Sequence, residues 1–559
     1  MIGLNKIGLN QVQLNRLHLN APFPAYGKMA GGGGSGDGFP QLPGDVTRWH
    51  FGGLTNEMMA AMDDPRIEDA DGKGRFLSFK NFAWKEGSGI SDVYPGALVF
   101  DGVDDCGVCD NFPILTKEKG YTVVVLRQWD QDFLNTTLTG GLLSTRNYST
   151  GEGVAFEKIE SSNKGYWNLG AGGIIDFAKS PFTWQTSKQY NNVGILKGDK
   201  NHGKPLCVGC GLSGGQQCGR FAIWELVFLD HDATEEELTK IKDYFVKTYP
   251  WLFPDKAWTV TGKTNEDEDR ATIANITGNG NDLILSNFGF AEGSGYGLYK
   301  TPFELYPSVQ HSSKYSLSFS KFALGDHNLI IAPKQNDLSY DIKVKVTGLK
   351  DGVKFKWGRI GTTGYIDITT DGIHMLNKPA SQIRQLIVEF AEDFDPDHVV
   401  TIEQIPEYEG YLITDGVDDE IISAKLIQFA DKFTIVGDWK FMEDRNDKAG
   451  LLKANQIYIY NATTGMRIYL KQGSRHYSFS CKKINALTSD GWVYDEKWDK
   501  YKVYPIGSDI DISSRLFLGF YSSNFTKIAL KNLGIYNDQL LSKDDCIKAY
   551  NYLQTLKAK

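Results

Sequence analysis

The sequence predicts an all-β protein of several domains, and three features of the 559 residues support this prediction. Short runs of alternating apolar and polar residues recur along the chain, with turn residues between them. Several segments repeat at fixed offsets. The length allows roughly three to five domains. With 41% hydrophobic and 23% charged residues, the composition is that of a globular protein and excludes a disordered chain.

Charge and hydropathy exclude two kinds of partner. The 60 Lys and Arg residues are outnumbered by 69 Asp and Glu, so binding to nucleic acid through phosphate neutralisation is disfavoured. No run of about 18 apolar residues occurs, so no membrane insertion is expected. The opening MIGLNKIGLN lacks a continuous hydrophobic stretch, and a standard secretion signal is not expected there.

The N-terminus consists of four pentads, MIGLN, KIGLN, QVQLN and RLHLN. Each has apolar residues at its second and fourth positions, which is the alternation of a strand. Units this small cannot bury a core alone, so a short β-solenoid fragment or an anchor that assembles with other chains are the alternatives. We favour an anchor and oligomerisation segment over residues 1–30. A glycine-rich linker follows over 31–44.

Two internal repeats organise the remainder. Residues 72–89 recur as 278–295 at an offset of 206, and LVFDGVDD (98–105) recurs as LITDGVDD (412–419) at an offset of 314. The larger offset indicates about 108 inserted residues in the second copy. Both copies also close with a strand, a turn and an amphipathic helix, for which Thr234 and Ser542 are the predicted N-caps.

These repeats predict the domain boundaries. The first unit spans 45–255. The second unit is split into opening strands over 256–299 and a main part over 408–559. The insert, 300–407, contains short strand runs separated by turns and is expected to form a small β-sandwich.

The G-x-G openers, the FDGVDD turn and the strand–turn–helix closure resemble laminin-G-like (concanavalin-A-like) jelly rolls. With its IGLN repeats and glycine linker, the whole chain resembles virion fibre or appendage proteins of phages of gut Bacteroidetes, including crAss-like phages. The resemblance implies a homotrimer anchored to virion head or tail proteins through residues 1–30, and assembled in the host cytoplasm. It also implies non-catalytic attachment to a host-surface glycan or receptor.

Four cysteines suggest a metal site. Cys106 and Cys109, and Cys207 and Cys210, form two C-x-x-C pairs, with Cys218 nearby. Such pairs are typical of a structural four-thiolate zinc site, provided that the fold brings the two pairs together. Free thiols, or a disulfide formed after release from the cell, are the alternatives.

The repeated acidic turns offer a second possible metal site. The first unit has the acidic residues Asp101, Asp104 and Asp105. The same three positions in the second unit are Asp415, Asp418 and Asp419. Carboxylates of this kind can bind calcium. Because each set adjoins an Asp-Gly pair, we favour hydrogen-bonded turns instead.

Aromatic residues are the candidates for glycan contact, because sugar faces stack on exposed rings. The densest group comprises Trp492, Tyr494, Trp498, Tyr501 and Tyr504, and a second consists of Tyr166 and Trp167. Alternation along a strand favours a core position for part of each group.

Signals for catalysis are weak, and we expect no enzyme. GLSGG (211–215) has the letters of a nucleophile elbow, but it lacks the preceding apolar strand and the following helix. Two alternatives to an attachment protein remain. One is a secreted bacterial protein that binds or cleaves glycans, and the other is a particle protein with a purely structural role.

Overall fold

The computed structural model describes most of the chain after the N-terminal repeats. The described residues are 38–113, 120–145, 155–158, 164–167, 174–176, 182–186, 205–212, 216–291, 293–298, 303–304, 315–320, 330–333, 341–358, 366–376, 385–391, 395–442, 449–454, 457–462, 465–470, 475–478, 483–502, 513–521 and 524–558. The predicted anchor over 1–30 lies outside them.

The strands of the first unit are short, and the central ones are buried on both faces. They are β1 (Val46–His50), β2 (Arg66–Glu68), β3 (Phe76–Lys80), β4 (Gly89–Ser91), β5 (Ala97–Asp101), β6 (Cys106–Cys109), β7 (Thr122–Trp129), β8 (Gly140–Ser144), β9 (Ala155–Lys158), β10 (Lys164–Trp167), β11 (Ile174–Asp176), β12 (Phe182–Thr186), β13 (Leu206–Val208), β14 (Cys210–Leu212), β15 (Gln216–Cys218) and β16 (Arg220–Leu229).

These strands form two sheets that pack face to face. One sheet has the order β12-β7-β16-β5-β4, with β1 paired to β16. The other has the order β11-β10-β9-β8-β13-β6-β3-β2, and the β14–β15 hairpin joins it at β8. Leu98 and Val125 of the first sheet share a buried cluster with Leu77 and Leu143 of the second. This cluster is the core of a jelly-roll-like sandwich.

The insert has its own strands and its own core. They are β21 (Phe303–Glu304), β22 (Ser316–Phe319), β23 (Ile330–Pro333), β24 (Ile342–Thr347), β25 (Val353–Gly358), β26 (Ile366–Ile368), β27 (Gly372–Leu376), β28 (Gln385–Phe390) and β29 (Val400–Gln404). Sheets of order β21-β23-β28-β25-β26 and β22-β29-β24-β27 enclose Val344, Phe355 and Ile402.

The strands of the second unit lie on both sides of the insert. They are β17 (Lys256–Thr259), β18 (Thr272–Ile273), β19 (Leu283–Ser286) and β20 (Gly295–Leu298) before it, and β30 (Glu407–Ile413), β31 (Glu420–Ser423), β32 (Ile427–Gln428), β33 (Phe433–Phe441), β34 (Ala449–Ala454), β35 (Ile457–Ala462), β36 (Gly465–Leu470), β37 (Arg475–Ser478), β38 (Ile484–Thr488), β39 (Trp492–Asp495), β40 (Lys500–Lys502), β41 (Ser513–Ser514), β42 (Leu516–Leu518), β43 (Phe520–Tyr521), β44 (Asn524–Phe525) and β45 (Ile528–Asn537) after it.

The second unit repeats the strand order of the first. Its sheets run β20-β30-β45-β33-β38-β39-β40, with β17 on β45, and β18-β19-β31-β42-β34-β35-β36-β37. Thus β17, β45, β33, β30 and β20 occupy the places of β1, β16, β7, β5 and β4. The insert lies between β20 and β30, whose pairing Gly295↔Ile413 matches Gly89↔Val99 in the first unit. The chain is therefore all-β, multidomain and jelly-roll-like, as its sequence predicts.

Few helices are present among the described residues. They are α1 (Asn56–Ala60), α2 (Gln131–Leu134), α3 (Glu235–Thr248), a 3-10 turn (Pro250–Leu252) and α4 (Lys543–Gln554). The Thr234 hydroxyl accepts a hydrogen bond from the Glu237 amide at the start of α3, and Ser542 does the same for Asp545 at α4, which confirms both predicted N-caps. None of the described helices has the length and apolar character needed to cross a bilayer.

We call the sheet that contacts α3 or α4 the helix-side sheet of its unit. The outer faces of the two helix-side sheets and both helices contribute to one cluster of buried apolar residues. Its members include Val124, Trp224, Ile241 and Phe245 of the first unit and Val436, Tyr536, Ala549 and Leu553 of the second. The two sandwiches therefore share an apolar layer instead of being joined only by a linker.

Each helix also contacts an ion pair that lies at its helix-side sheet, since Tyr244 of α3 accepts a hydrogen bond from Arg48 and Tyr550 of α4 accepts one from Lys483. In the first unit, Arg48 and Glu225 lie 3.4 Å apart with side chains 1% and 0% exposed. The Tyr249 hydroxyl donates to Glu225 at 2.8 Å. In the second unit, Lys483 lies 2.6 Å from Asp438. Burial raises the pKa of Asp438, but the Lys483 ammonium outweighs burial and holds that pKa below its ordinary value.

We predict that Glu225→Gln lowers the free energy of unfolding by about 3 kcal/mol, because the Arg48 guanidinium then stays buried without a compensating charge. Glu236→Gln is the matched control on α3, since the Glu236 side chain is 78% exposed and pairs with Lys240 at the surface. The control is expected to change stability by less than about 0.5 kcal/mol. Urea denaturation measures both, and equal effects would contradict the prediction.

Candidate functional site

A cleft opens where the two units meet, and we call it the interunit cleft. Its volume is about 490 Å³, within the range of roughly 300–1,000 Å³ that small-molecule sites occupy. The first unit contributes residues of β7, α2, α3 and the chain around and after the 3-10 turn, and the second unit contributes residues of β17, the 276–279 segment, the end of β45 and the C-terminal segment. The lining residues are Gln128, Gln131, Lys242, Val246, Leu252, Phe253, Pro254, Asp255, Ala257, Ile276, Thr277, Asn279, Asn537, Asp538, Gln539, Tyr552, Leu556 and Lys557.

Hydrogen bonds hold much of the polar wall of the interunit cleft in place. The Thr277 hydroxyl and the Asn279 amide both donate to the Asp255 carbonyl at 3.1 Å. The Asp255 carboxylate accepts from Asn537 at 3.3 Å, and Gln539 donates to the Phe253 carbonyl at 3.3 Å. These bonds fix the side chains before any ligand arrives, which lowers the entropy lost on binding.

The two units also contact each other directly at the cleft. The Lys557 ammonium, near the C-terminus, forms an ion pair with the Asp132 carboxylate of α2. Tyr552 of α4 lies in the shared apolar layer and is 4% exposed. The cleft thus combines amide and hydroxyl groups with an apolar floor, and the charges of its two lysines, Lys242 and Lys557, are balanced by those of Asp255 and Asp538. This combination suits a neutral, polyhydroxylated ligand, whose hydroxyls need donors and acceptors and whose carbon faces need apolar contact.

The acidic turn of the first unit is built by hydrogen bonds from its own backbone. The Asp105 carboxylate accepts from the Asp101 amide and from the Ser88 hydroxyl, both at 3.0 Å. The Asp101 carboxylate accepts from the Val103 amide at 2.7 Å. Gly102 has φ +78°, and a side chain there would lie 2.9 Å from Arg220, so the turn requires glycine.

The second unit repeats this turn bond for bond. Asp419 accepts from the Asp415 amide at 2.7 Å and from the Ser294 hydroxyl at 2.9 Å. Asp415 accepts from Val417 at 2.7 Å, and Gly416 has φ +79°. The oxygens of each Asp trio lie within 4.8 Å of one another. Because the carboxylates of the first and last aspartate of each trio accept hydrogen bonds from the turn, the predicted hydrogen-bonded turn is confirmed for those residues, while the middle aspartates, Asp104 and Asp418, are exposed.

Burial shifts the titration of the central carboxyl in each turn. Desolvation raises the pKa of Asp105 to about 7 and that of Asp419 to about 6, although the hydrogen bonds to each carboxylate act in the opposite direction. Raised carboxyl pKa values are common at catalytic sites. Here both carboxyls lie inside a turn, 0% and 1% exposed, and a substrate has no access to them.

The structure does not bring the four predicted zinc ligands together. Cys106 and Cys109 lie on opposite faces of β6, because residues three apart in a strand differ in direction. Cys109 belongs to the sandwich core, whereas Cys106, Cys207 and Cys210 lie in a separate buried cluster. Cys210 forms a disulfide with Cys218. A site made of Cys106, Cys109, Cys207 and Cys210 does not fit this arrangement.

The aromatic candidates lie away from the interunit cleft. Tyr494 is 3% exposed in the shared apolar layer, and Trp498 packs edge-on against Tyr550 of α4 at 5.7 Å. The Tyr501 hydroxyl donates to Asp495 at 3.1 Å, and its ring packs against the core of the second unit. These three side chains have structural contacts.

Trp492 is partly exposed, and ammonium groups cover its ring. The Lys500 and Lys502 ammoniums lie 3.5 and 4.2 Å from the ring centre. They occupy the surface on which a sugar would stack. Tyr504 lies outside the described residues, as do the side chains of Tyr166 and Trp167 in β10, so these three remain predictions.

Comparison with known proteins leaves the family open. No protein-family model and no curated protein matches the chain. Solved structures with partial similarity include the full extracellular region of zebrafish Gpr126/Adgrg6, at 10% identity over 45% of this chain and 39% of that chain, with TM-score 0.21. The receptor binding domain of botulinum neurotoxin C/D mosaic serotype matches at 9% identity over 64% of this chain and 86% of that one, with TM-score 0.23.

A third structure is a Trypanosoma rangeli sialidase, at 10% identity over 88% of this chain and 68% of that one, with TM-score 0.19. Likenesses this weak support no conclusion about the activity or ligand of this chain. The resemblance to virion fibre proteins therefore remains a prediction.

The interunit cleft is the site that reading the sequence missed. Its residues come from segments more than 400 positions apart, such as Gln128 and Tyr552, and no local motif joins them. The position of the cleft could have been predicted from the junction of the two repeated units near Pro254 and Asp255, because ligand sites often lie between domains.

The raised pKa of Asp419 predicts a pH dependence of stability. An unfolded chain releases this proton near pH 3.9, whereas the folded protein holds it to about pH 6. The folded state therefore binds more protons in this window, and its stability falls as the pH rises from about 4 to 6. We expect this carboxyl to account for about 2 kcal/mol of that fall.

Asp419→Asn should remove this contribution and flatten the curve of unfolding free energy against pH. Asp418→Asn is the matched control, because Asp418 is the exposed neighbour in the same turn. Denaturant titrations at several pH values between 4 and 7 measure the slopes. Parallel curves for the wild type and Asp419→Asn would contradict the prediction.

Proposed function

We propose that this chain is a non-catalytic attachment protein that binds a glycan or a glycan-bearing receptor in the interunit cleft. The observation that carries the proposal is the chemistry of that cleft. Gln131 and Asn279 supply neutral hydrogen-bonding groups, and the partly exposed Phe253 supplies aromatic surface. Sugar-binding sites combine these two kinds of group.

Support for a non-catalytic role comes from the carboxyl groups. Glycoside hydrolysis uses two carboxyl groups about 5 to 9 Å apart across the scissile bond, one of them with a raised pKa. In the described part of the chain, the carboxyls with the clearly raised values are Asp105 and Asp419. Each lies in its own buried turn in a different unit, so they are not a pair across a cleft.

The finer proposal is that the protein is a fibre or appendage on the head or tail of a virion. The resemblance of the IGLN repeats, the glycine linker and the paired units to such proteins supports it. A homotrimer would carry three interunit clefts, and several trimers on one particle would raise the effective concentration of weak sites. Residues 1–30 would then bind virion proteins, and the particle would be assembled in the host cytoplasm.

One observation favours a second candidate, a secreted bacterial protein that binds or cleaves glycans. Disulfides persist in oxidising compartments and are rare in the cytosol, and Cys210 and Cys218 form one. Incubating the full chain with host capsular polysaccharides and measuring released reducing ends tests the cleaving version. Turnover would exclude the non-catalytic proposal.

We predict that Gln131→Ala combined with Asn279→Ala weakens glycan binding about 10- to 30-fold, because each lost hydrogen bond contributes about 1 kcal/mol. Lys247→Ala is the control, since Lys247 is an exposed residue of α3 that does not line the cleft. A glycan array identifies the ligand, and calorimetry with that ligand compares the variants. Equal affinities for the wild type and the double variant would place binding elsewhere.

The wild-type result on the array also separates attachment from a purely structural role. If the purified full chain binds neither glycans nor host cells, the sandwiches contact only other particle proteins, and the attachment proposal fails.

Deletion of residues 1–30 tests the virion proposal. We expect the truncated chain to keep the thermal unfolding transition of its folded domains, because the described core residues of the two sandwiches all come from Trp49 onward. We also expect the truncated chain to be missing from purified particles. Immunoblotting for this chain, with a capsid protein as the loading reference, measures its amount per particle. Particles that carry the truncated chain at wild-type levels would contradict an anchoring role.

A further inference from the structure

The separate buried cluster of sulfur atoms lies on the face of the first unit that points away from its sandwich core. Cys106 and Cys207 project to this face, while their neighbours Gly107, Leu206 and Val208 face the core. Cys210 and Cys218 are paired directly across the β14–β15 hairpin. We call Cys106, Cys207, Cys210 and Cys218 the cysteine cluster; its four side chains are 0% to 6% exposed, and Val108 completes the buried group.

The sulfur atoms of the cysteine cluster already interact with one another. Cys106 and Cys207 are hydrogen-bonded through their side chains, and the Cys210 amide donates to the Cys207 sulfur. The hydrogen bond with Cys106 and burial raise the pKa of the Cys207 thiol, and the Cys210 amide acts in the opposite direction. Gly209 makes this tight segment possible, because it has φ +97° and a side chain there would lie 2.3 Å from the Phe100 ring.

Comparison of the two units shows that sulfur is not needed to build this part of the fold. The segment LCVGC (206–210) corresponds to LFLGF (516–520), and the strands β13 and β42 occupy the same place in their sheets. The positions of Cys207, Cys210 and Cys218 are taken by Phe517, Phe520 and Phe525 in the second unit. The same hairpin thus forms with three phenylalanines, so packing alone does not explain three cysteines.

We propose that the cysteine cluster is a zinc site gated by the redox state of the Cys210–Cys218 pair. A dithiol reductant transfers two electrons and two protons to the disulfide, which becomes two thiols while the reductant is oxidised to its own disulfide. The four thiols then bind one Zn²⁺ and release four protons. Cys207 and Cys210 form the C-x-x-C pair, and Cys218 is the ligand in place of Cys109.

The surroundings suit the charge of such a site. Four thiolates on Zn²⁺ carry a net charge of −2, which must be offset in a buried location. Lys80 of β3 lies directly opposite Cys106 of β6, so the Lys80 side chain lies on the same face of the sheet as the Cys106 sulfur. The Cys210 amide adds a backbone donor to the sulfur atoms. Oxidation of the Cys210–Cys218 pair by a disulfide such as oxidised glutathione, which accepts the two electrons and becomes two thiols, removes two ligands and releases the metal.

Zinc analysis of the full-length protein tests this proposal. After reduction with dithiothreitol and incubation with Zn²⁺, the wild type should retain about one zinc per chain through gel filtration. Cys218→Ser should lower the retained zinc at least tenfold. Cys109→Ser is the matched control and should retain zinc at the wild-type level. A reduced wild type without zinc, or equal losses in the two variants, would overturn the proposal.

A second measurement does not depend on the folding of a variant. The reduced wild type is loaded with Co²⁺ or Zn²⁺, alkylated, and digested for mass spectrometry. Metal should protect Cys106, Cys207, Cys210 and Cys218 from alkylation relative to metal-free protein, and cobalt should show the absorption bands of a tetrahedral thiolate site. Protection of a different set of cysteines would overturn the ligand assignment.

The redox step has its own readout. Adding oxidised glutathione to the zinc-loaded protein should release the metal to a chromophoric chelator, while a peptide linked by Cys210 and Cys218 appears in the mass spectrum. Zinc that stays bound after this peptide has formed would show that the pair does not gate the site.

Discussion

The apolar layer that α3 and α4 form between the two helix-side sheets is the constraint on which the other features depend. Each sheet must cover its outer apolar face, and a single amphipathic helix covers only part of it. Because Phe245 of α3 and Leu553 of α4 belong to the same buried cluster, each unit completes the cover of the other. This fixes the orientation of the units and therefore the walls of the interunit cleft, where Gln131 and Asn279 face a common space.

Much of the fold was predictable from the sequence because its determinants are local. The Asp-Gly turns, the N-caps at Thr234 and Ser542 and the alternating strands depend on neighbouring residues, and their repetition revealed the duplication. The interunit cleft was not predictable, because its shape arises from packing between distant segments. The zinc prediction failed in its ligand set for a local reason: Cys106 and Cys109 are in a strand, where a spacing of three separates side chains onto opposite faces.

The position of the insert follows from how the second unit is held together. β20 and β30 form one antiparallel pair although about 108 residues separate them. Closing a longer loop costs little, since each doubling of its length adds about 0.6 kcal/mol. The insert also has a core of its own around Val344 and Phe355, so it does not draw apolar residues from the sandwich that carries it. Because the insert supplies its own core, the β20–β30 pair can accept it as a separate folded domain.

Comparison of the duplicated units separates what the fold requires from what one copy has added. The acidic turn is the same in both, down to the serine that donates to Asp105 or Asp419, so the turn is part of the scaffold. The buried ion pairs beneath the helices differ, with Arg48 and Glu225 in one unit and Asp438 and Lys483 in the other. At this place the fold requires that a buried charge be paired with an opposite charge, but it does not require particular residue types. Three residues of the cysteine cluster have phenylalanines in the other copy, and Cys106 has Glu420. The shared scaffold does not require this difference, so a property specific to the first unit is expected there.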